Sequence, residues 1–236
     1  MIAPATSPGD ALPVRLLSSS PYERPWYAGI RRFPEGATSY RRWKRILDVA
    51  FVVAALPFIL PVLGLCCLLI IADSPGSPVF TQLRTGAGGR RFRMYKLRTM
   101  VRDAEERKSQ LGALNELSWP DFKIARDPRV TRVGRILRKT SLDELPQVLN
   151  ILKGDMAIVG PRPTSFSSST YSSWHTARLD VQSGLTGLWQ IEGRNDLDFD
   201  ERVRLDIAYG RYCSLWLDAQ IVVRTIPRVL SARGAN

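Results

Sequence analysis

Apolar and polar positions fall into three regimes along the chain. Residues 1–40 hold six prolines, Pro4, Pro8, Pro13, Pro21, Pro25 and Pro34, among Ser and Gly with few apolar clusters, which predicts a poorly ordered arm. No basic start followed by an apolar stretch opens the chain, so the arm does not read as a signal peptide. Next, 24 residues between Asp48 and Asp73 carry no charge. Beyond Asp73 the pattern becomes short and alternating, the mark of a folded body of helices and strands.

The uncharged run is the dominant feature. At about 1.5 Å per residue a straight helix of that length reaches roughly 36 Å, enough to cross a hydrocarbon core of about 30 Å. Its flanks complicate a simple crossing. Arg41, Arg42, Lys44 and Arg45 precede it, and Arg84, Arg90, Arg91, Arg93, Lys96 and Arg98 follow with no acid between Pro75 and Met100. Basic flanks favour the cytoplasmic face, so one crossing leaves a cluster on the wrong side. Pro57 and Pro61 offer a second geometry, because each removes an N–H and clashes with the carbonyl four residues back. A helix-break-helix with arms of about 11 residues, each roughly 16 Å, enters and leaves by one face. A single span with a proline kink is the competing geometry.

Further along, "PVFTQLRTGAGGRRFRMYKLRTM" reads as two extended runs around the turn Gly86–Gly89. It lacks the frame of a phosphate loop and is expected to be a hairpin. Val101–Leu114 has a helical pattern with acids early. Val130, Val133, Ile136 and Leu137 predict another helix, and "SLDE" has the form of a capping box with Ser141 as N-cap and Glu144 three residues on. Leu145, Val148, Leu149 and Leu152 continue it to Gly154, followed by the strand-like "MAIVG". Two more helices are expected over Asp200–Tyr212 and Leu215–Leu230. The last is basic and amphipathic with Trp216, suited either to the headgroup layer or to the protein's own core.

Charge narrows the partner. Lys and Arg outnumber Asp and Glu by 34 to 22, a formal net charge of +12, which calls for an anionic partner. Beside so long an apolar run, membrane phospholipid or lipid phosphate accounts for the charge better than nucleic acid. Three cysteines, two of them adjacent inside the run, show no disulfide or metal spacing and suit a reducing compartment. The single histidine, His175, rules out His-cluster zinc sites and is expected at the surface. Any enzymatic chemistry therefore runs on carboxylates, Lys and Arg.

The densest constellation is "RKTSLDELPQ". Asp143 and Glu144 are neighbours, so on a helix they point about 100° apart and cannot flank one bond as a facing acid–base pair. Two readings remain open from the residues alone. The pair is ordinary first-turn capping and dipole chemistry, or one acts as nucleophile and the other as a Mg²⁺ ligand. "VGPRP" adds Arg162 between two stiffening prolines, and "YKLRTM" adds Lys96 and Arg98. These suit an anion site.

Taken together, "KRILDVA", "DSPGSPVFTQLRTG", "FRMYKLRTM", "TRVGRILRKTSLDELPQVLNILKGDMAIVGPRP", "SGLTGLWQIEGRN" and "SLWLDAQIVVRTIPRVLSARG" resemble the bacterial sugar transferases. These are the monotopic phosphoglycosyl transferases of polyprenyl-phosphate pathways, and the likeness runs from about Tyr40 to Gly234. It implies transfer of a sugar phosphate from a UDP-sugar to polyprenyl (undecaprenyl) phosphate, the initiating step of a glycoconjugate or exopolysaccharide. It further implies Asp143 as nucleophile in a covalent phosphosugar intermediate, Glu144 with Mg²⁺, and Arg138 and Arg162 on phosphate. Lys96, Arg98 and Asp73 would lie near the site, with Asp206 and Asp218 as weaker candidates. Departures exist: the break is Leu56-Pro57 rather than Ser-Pro, and Ser183 stands before Gly184 where the family has proline.

The resulting expectation is an α/β, membrane-associated enzyme at the cytoplasmic face of the bacterial inner membrane. It comprises an arm over 1–40, a re-entrant membrane helix over 41–73 broken at Pro57 or Pro61, and a catalytic domain over 74–236. That domain has a small sheet and amphipathic surface helices. The resemblance implies a short form without the extra transmembrane helices of larger relatives. The expected partners are UDP-sugar, polyprenyl phosphate and phospholipid, with no nucleic acid and with homo-oligomerisation left open. A membrane-anchored scaffold with the fold but no activity is the rival, and the presence of Asp143 and Arg162 speaks against it.

Overall fold

The computed structural model describes residues 38–108, 111, 124, 127–193 and 197–230. The arm before Thr38 lies outside them, as does the end of the helix expected over Val101–Leu114, of which Ala104–Lys108 (α2) is seen.

Helix α1 spans Thr38–Asp73, 36 residues, and begins slightly before the expected boundary at residue 41. It continues through Pro57 and Pro61 without interruption, so the expected separation into two helices is not seen. One face holds it to the rest of the protein. Tyr40, Lys44, Asp48, Val52, Cys66 and Ile70 are buried at helical spacing, with Ile59 and Leu63 packed between them. Both prolines point outward, along with Phe51, Phe58, Leu60, Leu65 and Leu68. Only 11% of its most apolar stretch is buried, unlike the core helix of a water-soluble domain.

Both ends of α1 are tied to the same body. Near its start, Lys44 Nζ lies 2.8 Å from Asp218 Oδ2 and Arg45 Nη2 donates to Leu152 O at 2.7 Å. At its end, Asp73 Oδ2 accepts from Val133 N at 3.0 Å. Just beyond, Arg98 donates to the carbonyls of Ser74 and Pro75, each at 2.6 Å.

Strands β1 (Val79–Thr85) and β2 (Arg91–Leu97) form the expected antiparallel hairpin, in register from Val79↔Leu97 to Thr85↔Arg91. Gly88 and Gly89 close it at φ 61 and 74, where a side chain would be strained. Phe92 and Met94 alternate inward onto Val52, Val148, Ile151 and Met156. Asn150, fully buried, completes the other edge of β2: its Oδ1 accepts from Tyr95 N at 3.0 Å and its Nδ2 donates to Arg93 O at 2.7 Å. A side-chain amide thus replaces a missing strand.

Helices α3 (Arg132–Thr140) and α4 (Val148–Lys153) follow, and Gly154 ends the second in a left-handed conformation as its sequence position suggests. Instead of one small sheet the described residues form two, because β3 (Ala157–Val159) pairs in parallel with β4 (Gly184–Thr186). That crossing is tight. A Cβ on Gly160 would sit 2.1 Å from Gln182 O, and one on Gly184 2.1 Å from Gly160 N. Helices α5 (Leu188–Glu192), α6 (Phe199–Tyr212) and α7 (Leu215–Leu230) close a second core of Leu188, Leu205, Tyr209, Leu217 and Ile221. Helix α7 packs on the protein's own core through Leu217 and Ile221 and leaves Trp216, Val223 and Ile226 exposed.

Candidate active site

The site begins at a backbone irregularity. Ser141 has φ 58 and ψ 16, the one non-glycine among the described residues with positive φ. It ends α3, its N–H reaching the carbonyls of Leu137 and Arg138, and it makes no side-chain cap. The expected capping box is therefore not formed. Left-handed geometry at a serine costs about 1 kcal/mol or more, and here it turns the chain into a tight 3₁₀ segment, Leu142–Gln147, rather than a regular helix start. With the capping contact gone, the Glu144 carboxylate turns to side chains of β2 and of the loop after β3.

Glu144 is saturated. Arg162 grips both of its oxygens, with Nη1–Oε2 at 2.9 Å and Nη2 on Oε1. Lys96 Nζ adds a bond to Oε1 at 3.0 Å and Gln147 Nε2 one to Oε2 at 3.2 Å. Four donors fill the four acceptor positions of a carboxylate. Burial alone would raise the Glu144 pKa, but the charges of Arg162 and Lys96 outweigh it and hold the group well below the usual carboxylate range.

Asp143 is the opposite. It is 8% exposed, and Lys96 Nζ at 3.7 Å is its one ion-pair partner among the described residues. Burial pushes its pKa up more than Lys96 pulls it down, and the neighbouring Glu144 charge adds to the rise. Two adjacent carboxylates thus occupy contrasting environments. One is locked and permanently charged, the other desolvated with open oxygens, as suits a nucleophile.

Arg138 donates Nε to Thr99 Oγ1 at 2.9 Å, and its charge is felt at Asp143. Burial lowers its own pKa and Asp143 partly restores it. The structure therefore gathers Asp143, Glu144, Lys96, Arg138 and Arg162. Arg98 instead clamps the carbonyls after α1, and Asp73 caps the first turn of α3.

Asp218 and Asp206 sit elsewhere in the core. Asp218 receives Tyr40, Lys44 and Tyr209, tying α1 to α7. Asp206, wholly buried, lies 2.6 Å from Arg178 Nη2, which also donates to Arg162 O at 2.8 Å. His175 is buried rather than at the surface, joined to Ser172 and, at 3.0 Å, to Asp200. Sequence reasoning passed over Gln147, Asn150, Thr99 and Arg178. Gln147 and Asn150 repeat with the apolar residues of their helix, and their polarity was the available signal.

Mg²⁺ tests poorly against this arrangement. The described residues contain no group of three His, Cys, Asp or Glu able to hold a metal, and every acceptor position of Glu144 is already filled. The expected Glu144 metal site does not fit the residues as they stand.

Comparison with known proteins places these features in context. The family described as bacterial sugar transferase matches residues 39–232. Galactosyl transferase CpsE of Streptococcus agalactiae is 43% identical over 195 residues, covering 82% of this chain and 43% of that protein. Exopolysaccharide production protein ExoY of Rhizobium meliloti is 39% identical over 223 residues, 92% of this chain and 96% of ExoY. The UDP-glucose:undecaprenyl-phosphate glucose-1-phosphate transferase of Caulobacter vibrioides is 41% identical over 203 residues, 81% of this chain and 71% of that protein. The chain spans under half the length of CpsE and nearly all of ExoY.

Proposed function

The chain belongs to the bacterial sugar transferase family, and from that membership we propose that it transfers a sugar phosphate from a UDP-sugar to undecaprenyl phosphate. The products are undecaprenyl-diphospho-sugar and UMP, the opening step of an exopolysaccharide or related glycoconjugate.

The observation that carries this reading is the asymmetry of the acidic pair. Asp143 keeps free oxygens in a desolvated pocket beside the cations of Lys96 and Arg138. An Asp143 oxygen attacks the sugar-bearing β-phosphorus. The bond from that phosphorus to the bridging oxygen breaks, and UMP leaves with the oxygen and its electron pair. A phosphate oxygen of undecaprenyl phosphate then attacks the same phosphorus, and the Asp143–phosphorus bond breaks to regenerate the carboxylate. Splitting one displacement into two is what a carboxylate nucleophile offers. Lys96, Arg138 and Arg162 stabilise charge on the phosphoryl oxygens, with Glu144 fixing Lys96 and Arg162 in place. Mg²⁺ has no step in this scheme, because Glu144 has no oxygen free for it.

The same reading places the catalytic body on one membrane face. A helix of 36 residues is about 54 Å long when straight, and a transmembrane path would put its ends on opposite sides. Here both ends bind one body, Lys44 on Asp218 and Asp73 on Val133. That favours a continuous helix lying along one leaflet, its outward Phe58, Leu60, Leu65 and Leu68 in lipid. The basic flanks favour the cytoplasmic side for this body.

The test uses purified protein in nanodiscs with undecaprenyl phosphate and a panel of UDP-sugars. UMP release with a matching lipid-linked product, abolished by Asp143→Asn, supports the reading. Unchanged turnover in that variant removes Asp143 as nucleophile.

A further inference from the structure

Arg84 is a half-buried cation whose neighbours leave it short of partners. It stands at the end of β1, where Thr85 N donates to Thr164 O at 2.9 Å and joins β1 to the loop that carries Arg162. Its Nη2 bonds Gln82 Oε1 at 2.5 Å, its Nη1 reaches Pro163 O only at 3.5 Å, and its Nε is buried without an acceptor. No carboxylate oxygen of the described residues lies within 4.0 Å of it. Burial, with the charge of neighbouring Arg162, lowers its pKa to about 10, and Glu144 offsets part of that fall.

A guanidinium withdrawn from water ordinarily rests on an acid. The carboxylate whose charge reaches it, Glu144, is already filled by Arg162, Lys96 and Gln147. Lys96, Arg138 and Arg162 act on Asp143, and the charge of Arg84 reaches Glu144, so four positive charges stand against two negative. The excess matches a diphosphate diester, which carries one negative charge on each phosphoryl group. The two arginines without a carboxylate partner are also sorted in space. Arg138 is felt at Asp143, and Arg84 lies by Arg162 and Glu144.

We propose that Arg84 binds the phosphoryl group that departs with the nucleotide, while Arg138 binds the phosphoryl group that Asp143 attacks. The proposal rests on the donor being a nucleoside diphosphate sugar. Its ground is geometric: a guanidinium with no carboxylate partner, a buried and unpartnered Nε and only a long Nη1 contact, set against Pro163, the residue next to Arg162. Arg84 thereby neutralises charge as it gathers on the leaving phosphate.

Calorimetric titration of the full chain in nanodiscs with inorganic pyrophosphate and, separately, with UMP tests it. Arg84→Ala is expected to weaken both ligands by about tenfold or more, the size of a lost charge-assisted bond. Arg84→Lys keeps the charge without the fork, guards against a folding artefact and should fall between the two. Arg138→Ala should weaken pyrophosphate and leave UMP as in the wild type. In turnover, Arg84→Lys should raise KM for the donor more than it lowers kcat. Wild-type affinity for UMP in both Arg84 variants, with unchanged melting temperature, would overturn the proposal and leave Arg84 as a brace for Pro163. Wild-type protein that binds neither probe overturns it as well. Wild-type protein that binds both but turns over no UDP-sugar removes the transferase reading instead, and the binding data still decide Arg84.

Discussion

Asp143 Oδ2 lies 3.7 Å from Lys96 Nζ, near enough to feel the charge and too far for a hydrogen bond. One residue on, Glu144 holds the same ammonium at 3.0 Å and Arg162 in a two-point pair. The lysine is anchored by the acid that does not react and leaves the other poised. The first consequence concerns stability. Asp143 is desolvated with little compensation, so Asp143→Asn should abolish sugar-phosphate transfer while the melting temperature holds or rises. Calorimetric melting alongside activity checks this, and a large fall in melting temperature would give Asp143 a structural role instead.

The pH dependence of transfer should carry the mark of the same pair. Asp143 must be ionised to attack, and its pKa is raised by burial despite Lys96. The acid limb of kcat/KM should therefore lie above the ordinary aspartate range. In Lys96→Met the counter-charge is gone, the pKa rises further, and the limb should move to higher pH. A limb that stays put, or moves down, contradicts the coupling.

Glu144 answers differently. Replacing it with Ala leaves Arg162 and Lys96 without their acid in a largely buried site. Breaking such a pair costs about 3 kcal/mol or more, so unfolding in denaturant should show a clear loss of stability together with loss of activity. Wild-type stability would mean the ion pairs are not formed in solution.

Asp206 gives a separate readout from the core behind Arg162. Burial, opposed by Arg178, raises its pKa to about 6. The folded protein then holds a proton that the unfolded chain releases near pH 4. This group's contribution to stability is therefore full below that value and is lost as pH rises through about 6. Asp206→Asn should remove that slope from a plot of melting temperature against pH. A slope unchanged in the variant would place its origin elsewhere.

Mg²⁺ should find no place on Glu144. With every Glu144 acceptor position filled, Mg²⁺ alone should not shift the melting temperature of the ligand-free protein. A shift lost in Glu144→Gln would restore the metal to that residue.

Much of the fold was legible along the chain. The hairpin over Val79–Leu97 and the helices Phe199–Tyr212 and Leu215–Leu230 follow from local period and from Gly or Pro punctuation, which physics expresses locally. The site was legible less evenly. Asp143, Glu144 and Arg162 were marked by family motifs, but the division of labour between the two acids depends on Lys96 and Arg162, from 48 and 18 residues away. Ser141 misled for a comparable reason. Its "SLDE" frame is a cap by local rules, yet the chain turns left-handed there and Glu144 finds stronger partners. The α1 prolines predicted a break, whereas packing along one whole face keeps the helix continuous.

The most direct test of the central claim is to mix wild-type protein with a labelled UDP-sugar in the absence of undecaprenyl phosphate, quench in denaturant and map the label by peptide mass. The account predicts UMP released in amounts matching the protein, with a sugar phosphate bound covalently at Asp143 and discharged when acceptor is added. UMP release that waits for the acceptor, with no label on Asp143, would contradict it and point to a single displacement on the two bound substrates.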